Sequence, residues 1–75
     1  MTTSSVYRWR KTSDVNRESA LFELMCGETA LLDIGLSDDG TIEIAFNASM
    51  CGKILGWAEL RELLEEGKTL AERDR

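Results

Sequence analysis

The chain has 75 residues and a net charge of −5, from 14 acidic and 9 basic side chains, with two cysteines, no histidine and no proline. That length holds one domain, and two thiols without histidine cannot complete a four-ligand zinc site within one chain. The acidic balance repels a nucleic-acid backbone, and no apolar run is long enough to cross a bilayer or act as a signal peptide, so a cytoplasmic protein with reduced thiols and no membrane contact is expected.

The charge is unevenly placed. Residues 1–17 carry four bases against one acid, residues 18–56 seven acids against one lysine, and residues 57–75 six acids against four bases. The chain therefore divides into a basic N-terminal arm or edge strand over 1–17 and a single α+β domain over 18–75. So short a chain buries only about 60% of the surface its unfolded form exposes, which raises self-association as a source of stability.

Met1 to Ser5 is polar and is expected to fray. From Val6 to Lys11 an extended chain would put Tyr7 and Trp9 on one face, with Arg8 and Arg10 on the other. Interleaved rings and bases make Tyr7, Arg8, Trp9, Arg10 and Lys11 the candidate contacts for nucleic acid, the rings stacking on bases. A charged edge strand protected from aggregation, or a strand exchanged with a partner, accounts for the same residues. The absence of a basic face on the body favours those accounts. Thr12 to Asn16 reads as a polar connection.

Ala20 to Met25 is a strand with Ala20, Phe22 and Leu24 inward, or a helix capped by Ser13 and ended by Gly27. Register favours the strand. An odd-length turn at Cys26-Gly27-Glu28 sets Leu24 opposite Ala30, Phe22 opposite Leu32 and Ala20 opposite Ile34. A two-residue turn at Gly27-Glu28 instead sets Phe22 opposite Asp33. The next two segments are clearer: Ala30, Leu32, Ile34 and Leu36 share one face, as do Ile42, Ile44 and Phe46. Between them Asp38-Asp39-Gly40 suits a three-residue loop with Gly40 in the left-handed region, which pairs Leu36 with Ile42, Ile34 with Ile44 and Leu32 with Phe46.

Ala48 to Lys53 reads as a loop. Trp57, Leu60, Leu63, Leu64, Gly67, Leu70 and Ala71 then recur at three- and four-residue steps, which predicts an amphipathic helix of about 16 residues after an N-cap at Gly56. Gly67 costs about 1 kcal/mol relative to alanine there and marks a bend or a close contact with the sheet. The predicted fold is α+β: a three- to four-stranded antiparallel β-meander with one long C-terminal helix packed on one face. Its core is Phe22, Leu24, Leu32, Ile34, Ile44 and Phe46 against Trp57, Leu60, Leu64 and Leu70.

Chemistry-bearing patterns are sparse. Met25-Cys26-Gly27 and Met50-Cys51-Gly52 repeat a local context, but no Cys-x-x-Cys and no histidine accompany the thiols, so no redox or metal role is assigned. Asp33, Asp38, Asp39 and Glu43 cluster near the second hairpin, where turn chemistry and a solvated strand face account for them. No phosphate loop, nucleophile elbow or zinc motif is present, and no cofactor or catalytic activity is expected. The expected function is a small protein-interaction or regulatory module that forms a homodimer. Its expected interface is Leu21, Met25, Leu31 and Ala45 on the sheet face away from the helix. Nucleic-acid binding through the arm is the first alternative, and an antitoxin- or immunity-like acidic inhibitor of a basic partner is the second.

Overall fold

The structure is a computed structural model that describes residues 6–13 and 19–74. The fraying expected of residues 1–5 and residues 14–16 of the polar connection expected over Thr12 to Asn16 lie outside the described residues, while Thr12 is the last residue of the first strand rather than part of that connection. Strand β1 (Tyr7–Thr12) is followed by β2 (Leu21–Cys26), β3 (Thr29–Leu36) and β4 (Ile42–Phe46). A short 3₁₀ turn (Ala48–Met50) then leads to helix α1 (Trp57–Arg73). The four strands form one antiparallel sheet in the order β1-β2-β3-β4. This is the predicted α+β meander in its four-stranded form, with the N-terminal segment as an edge strand.

The β3–β4 hairpin keeps the predicted register: Leu36 pairs with Ile42, Ile34 with Ile44 and Leu32 with Phe46. Its loop closes through Gly40 N–H donating to the Ser37 carbonyl at 2.9 Å, and Gly40 has φ +87°. Asp39 is a structural residue of this loop. Its carboxylate accepts from Thr41 N at 3.1 Å and from the Ser37 hydroxyl, and these bonds hold its pKa below the ordinary aspartate value.

The β2–β3 hairpin departs from the expected register in an instructive way. The turn is the two-residue Gly27-Glu28, with Cys26 opposite Thr29 and Met25 opposite Ala30. Gly27 takes φ +61° while Glu28 does not enter positive φ, the pattern of a turn whose first central residue must be glycine. A bulge at Leu31 then shifts the register, so that Leu24 meets Leu32 and Phe22 meets Ile34. The even turn alone would have set apolar residues against polar ones, and one extra residue in β3 restores the sorting. The bulge carbonyl of Ala30 accepts from Asn47 Nδ2 at 3.1 Å and Ser49 Oγ at 2.6 Å, and the Leu31 carbonyl accepts from Asn47 N at 2.9 Å.

Helix α1 covers part of one sheet face. Phe22, Ile34 and Ala71 form one buried cluster with Trp9, Ile42 and Leu70 against it. Leu24, Leu31 and Leu32 form a second with Tyr7, Trp9, Met50, Leu63 and Leu64. Gly67 is a point of close approach: a Cβ there would fall 2.5 Å from Trp9 Cζ2 and 3.1 Å from Ile34 Cγ2. The helix therefore seats where β1 supplies the indole, and its packing runs over β2 and β3. A helix about 10 Å across spans two strand spacings of about 4.8 Å, whereas four strands need about 14 Å. The strand left uncovered is β4. Ile44 and Phe46 are accordingly 38% and 65% exposed, and Trp57, at the helix start, is 78% exposed. These three were expected in the core and belong to the surface.

Candidate interaction surface

The two edges of the sheet differ in character. Edge β1 alternates rings that face the helix with charged side chains that are tied within the chain. Arg8 Nη2 donates to the Gly27 carbonyl at 3.2 Å, Arg10 Nε to Glu23 Oε1 at 3.0 Å, and Lys11 Nζ to Asp74 Oδ1 at 2.6 Å. Asp74 also accepts from Ala20 N at 3.2 Å, and its pKa is lowered by the Lys11 bond first and the Ala20 bond second. The residues proposed as nucleic-acid contacts are thus part of the fold. Tyr7 and Trp9 pack on the buried clusters, and the three bases have partners inside the chain. Partial burial, with the Glu59 carboxylate behind it, raises the Tyr7 hydroxyl pKa.

Edge β4 has the opposite character. Its only charged residue is Glu43. Ile42, Ile44 and Phe46 share the helix side of the sheet by strand alternation. Between β4 and α1 runs a groove of about 240 Å³ lined by Ile34, Ile42, Ile44, Trp57, Leu60 and Leu64, with Arg61, Glu65 and Lys68 along the helix side. The floor and wall are apolar and the rim carries both signs of charge. A partner that fits is therefore apolar at its centre and indifferent in net charge at its margin.

The backbone of β4 is equally specific. Asn47 N donates to Leu31 O and Ser37 N donates to Thr41 O, which brackets the β3–β4 ladder at both ends. Antiparallel rungs alternate. Glu43 and Ala45, opposite Gly35 and Asp33, therefore direct their peptide groups at β3, while those of Ile42, Ile44 and Phe46 point outward. Among the described residues no strand pairs with that edge.

The face away from the helix is less apolar than expected. Leu31 is 0% and Met25 2% exposed. The bulge places Leu31 in the cluster with Leu24 and Leu32, and Met25 lies between Arg8 and Ala30 in the sheet. Leu21 and Ala45 remain at the surface, lining an open depression of about 490 Å³ with Asp33 and Glu43. The four-residue patch is thus not a surface of the folded chain: two members are core, and carboxylates flank the other two. Asp33 is a half-buried carboxylate of this face. Partial burial raises its pKa first, Glu23 directly opposite raises it further, and its Oδ1 has no hydrogen-bond partner among the described residues.

The cysteines mark turns. Cys26 is half-buried and Cys51 exposed, both are free thiols, and each precedes a glycine at positive φ, Gly27 at +61° and Gly52 at +80°. The repeated Met-Cys-Gly is an inward methionine followed by a turn, with Met25 buried and Met50 against the Leu24, Leu31 and Leu32 cluster. Among the described residues no three acidic or sulfur ligands gather as a metal site, and no helix is long and apolar enough to cross a membrane.

The apolar groove was missed by sequence reading because each of its residues sits on a correct amphipathic stripe. The signal was Gly67 and Ala71: small residues in the C-terminal half bring the helix close to the sheet there, leaving Trp57 standing off at the other end. Comparisons with protein families, with characterised proteins and with solved structures give no match to this chain.

Proposed function

We propose that this chain is a small protein-interaction module that binds by strand addition at β4, the added segment packing its alternate side chains into the groove between β4 and α1. One observation carries the reading: the charged side chains of edge β1 are tied within the chain, while β4 turns peptide groups toward an edge that no described strand covers, beside exposed Ile44, Phe46 and Trp57. Exposed apolar edge strands are ordinarily blunted by charge, proline or cover. β4 carries one charge, Glu43, with no proline and no cover among the described residues, and such a strand is suited to β-augmentation, where backbone bonds give affinity and side-chain pockets give selectivity. Neither catalysis nor nucleic-acid binding draws comparable support, since no nucleophile–base pair is formed among the described residues and the basic strand is engaged in the fold.

The test is a titration followed by backbone amide NMR. A synthetic peptide of residues 41–47, carrying the β4 sequence, is added to the labelled chain. Shifts confined to Ile42, Ile44, Phe46, Trp57 and Leu60 are expected, with Phe46→Glu abolishing them. Shifts centred on β1, or none at millimolar peptide, would refute strand addition at β4.

A further inference from the structure

Resting on strand addition at β4, we infer that the segment added is β4 of a second copy, giving a two-fold dimer centred on Ile44 with one continuous eight-stranded sheet. The outward peptide groups belong to Ile42, Ile44 and Phe46, so a second antiparallel strand must form its hydrogen-bonded pairs with these residues. With Ile44 opposite Ile44 of the copy, Ile42 falls opposite Phe46 and Phe46 opposite Ile42. Every outward N–H and C=O of the strand is then used, and every pair on the groove side is apolar. Two neighbouring registers also satisfy the peptide parity. Centring on Glu43 sets two carboxylates directly opposite and leaves Phe46 outside the ladder. Centring on Ala45 leaves Ile42 without a strand partner. An isologous interface must be self-complementary, and of the three registers only the one centred on Ile44 is so in backbone, shape and charge.

Size and sterics agree. Trp57 and Phe46, 78% and 65% exposed, hold roughly 300 Å² of aromatic surface per chain. Two copies therefore bring about 600 Å² from four rings alone, and the isoleucines and strand backbone carry the total toward the roughly 1,000 Å² of a specific interface. The two-fold axis of an antiparallel pair is normal to the sheet, so both helices lie on one face. With each over β2 and β3, their axes stand about four strand spacings apart, about 19 Å, wider than the 10–12 Å helix diameter. The helices do not collide, and the two grooves merge into one trough. The unfavourable contribution is Glu43, which opposes Ala45 of the copy but lies diagonally about 7–8 Å from its own equivalent. Salt and Glu43→Gln should both tighten the dimer.

The experiment uses the full 75-residue chain, with Cys26→Ser and Cys51→Ser for the cross-linking arm. Light scattering at tens of micromolar should give twice the 8.4 kDa chain mass. Amide exchange should show concentration-dependent protection at Ile42, Ile44 and Phe46, with Glu43 and Ala45 protected at all concentrations. Opposed Cα atoms of a hydrogen-bonded pair lie about 5.5 Å apart, within disulfide range. Ile44→Cys should therefore cross-link under oxidised glutathione at least tenfold faster than Glu43→Cys or Ala45→Cys, and Ile44→Lys should weaken the dimer by tenfold or more. A dimer whose outward β4 amides exchange freely, or one that cross-links fastest at position 43 or 45, would overturn the inference. So would a monomer at hundreds of micromolar. In that last case shifts with the 41–47 peptide would leave strand addition standing with another partner, and their absence would remove both.

Discussion

Two residues carry the sharpest local conflicts. Asp33 lies opposite Glu23 across β2–β3 with a buried oxygen lacking a partner. Its folded pKa is raised, so the stability linked to its protonation is present below the ordinary value of about 4 and is lost as pH rises through the folded value. Asp33→Asn should therefore raise stability at pH 7 by about 1 kcal/mol, the size of an unmade buried bond. The gain should shrink towards pH 3, as urea unfolding at both pH values will show. Gly67 sets helix propensity against space. Alanine there gains about 1 kcal/mol of propensity, but its Cβ would meet the Trp9 ring at 2.5 Å, and overpacking costs about 1–3 kcal/mol. The clash should win: Gly67→Ala lowers the melting temperature, and adding Trp9→Leu recovers part of the loss. A rise in melting temperature on Gly67→Ala alone would mean that the helix does not seat on the indole.

At the scale of elements, the fold depends on two ties between distant segments. The first holds the bulge: Asn47 donates to Ala30 O at 3.1 Å through its side chain and to Leu31 O at 2.9 Å through its backbone. Asn47→Ala should cost about 1 kcal/mol, with loss of amide protection at Ala30 and Leu31 before the rest of β3. The second is Asp74, which joins the end of α1 to Lys11 on β1 and to Ala20 before β2. Its pKa is depressed, so its stabilising effect is present above the ordinary aspartate value and disappears as pH falls through the folded one. Asp74→Asn should lower the melting temperature at pH 7 and leave it unchanged near pH 2. An equal loss at both pH values would show that the carboxylate's charge plays no part.

For the whole molecule, the issue is which hydrophobic residues stabilise the monomer. Phe46 and Trp57 are mostly exposed, and surface substitutions away from special features change stability by about 0.5 kcal/mol or less. Phe46→Glu and Trp57→Glu should therefore leave the unfolding free energy of the isolated chain within that range while abolishing binding at β4. Leu31→Glu, at a fully buried position, should instead unfold the chain. Denaturant titration at concentrations low enough to hold the chain monomeric separates the two outcomes. A large loss from Phe46→Glu there would place the residue in the core after all.

The strand–strand–helix order and the β3–β4 register were legible in the sequence, and Gly67 was marked as a bend or a close contact, because each rests on local rules. Alternation sorts Leu32, Ile34 and Leu36 against Phe46, Ile44 and Ile42, Gly40 meets a turn that needs positive φ, and a small residue on an apolar helix stripe implies close approach. The β2–β3 register was not legible, since a two-residue turn with a bulge and a longer odd turn sort the faces alike. Only the side-chain bonds from Asn47 and Ser49, well downstream, show how the bulge is held. Nor could periodicity say which strands the helix would cover. One helix is too narrow for four strands, and its place was decided by Trp9 of β1 meeting Gly67 and by Ala71 fitting over Phe22 and Ile34. Those tertiary contacts turn Ile44, Phe46 and Trp57 from expected core into surface and give the chain one charged edge and one apolar edge.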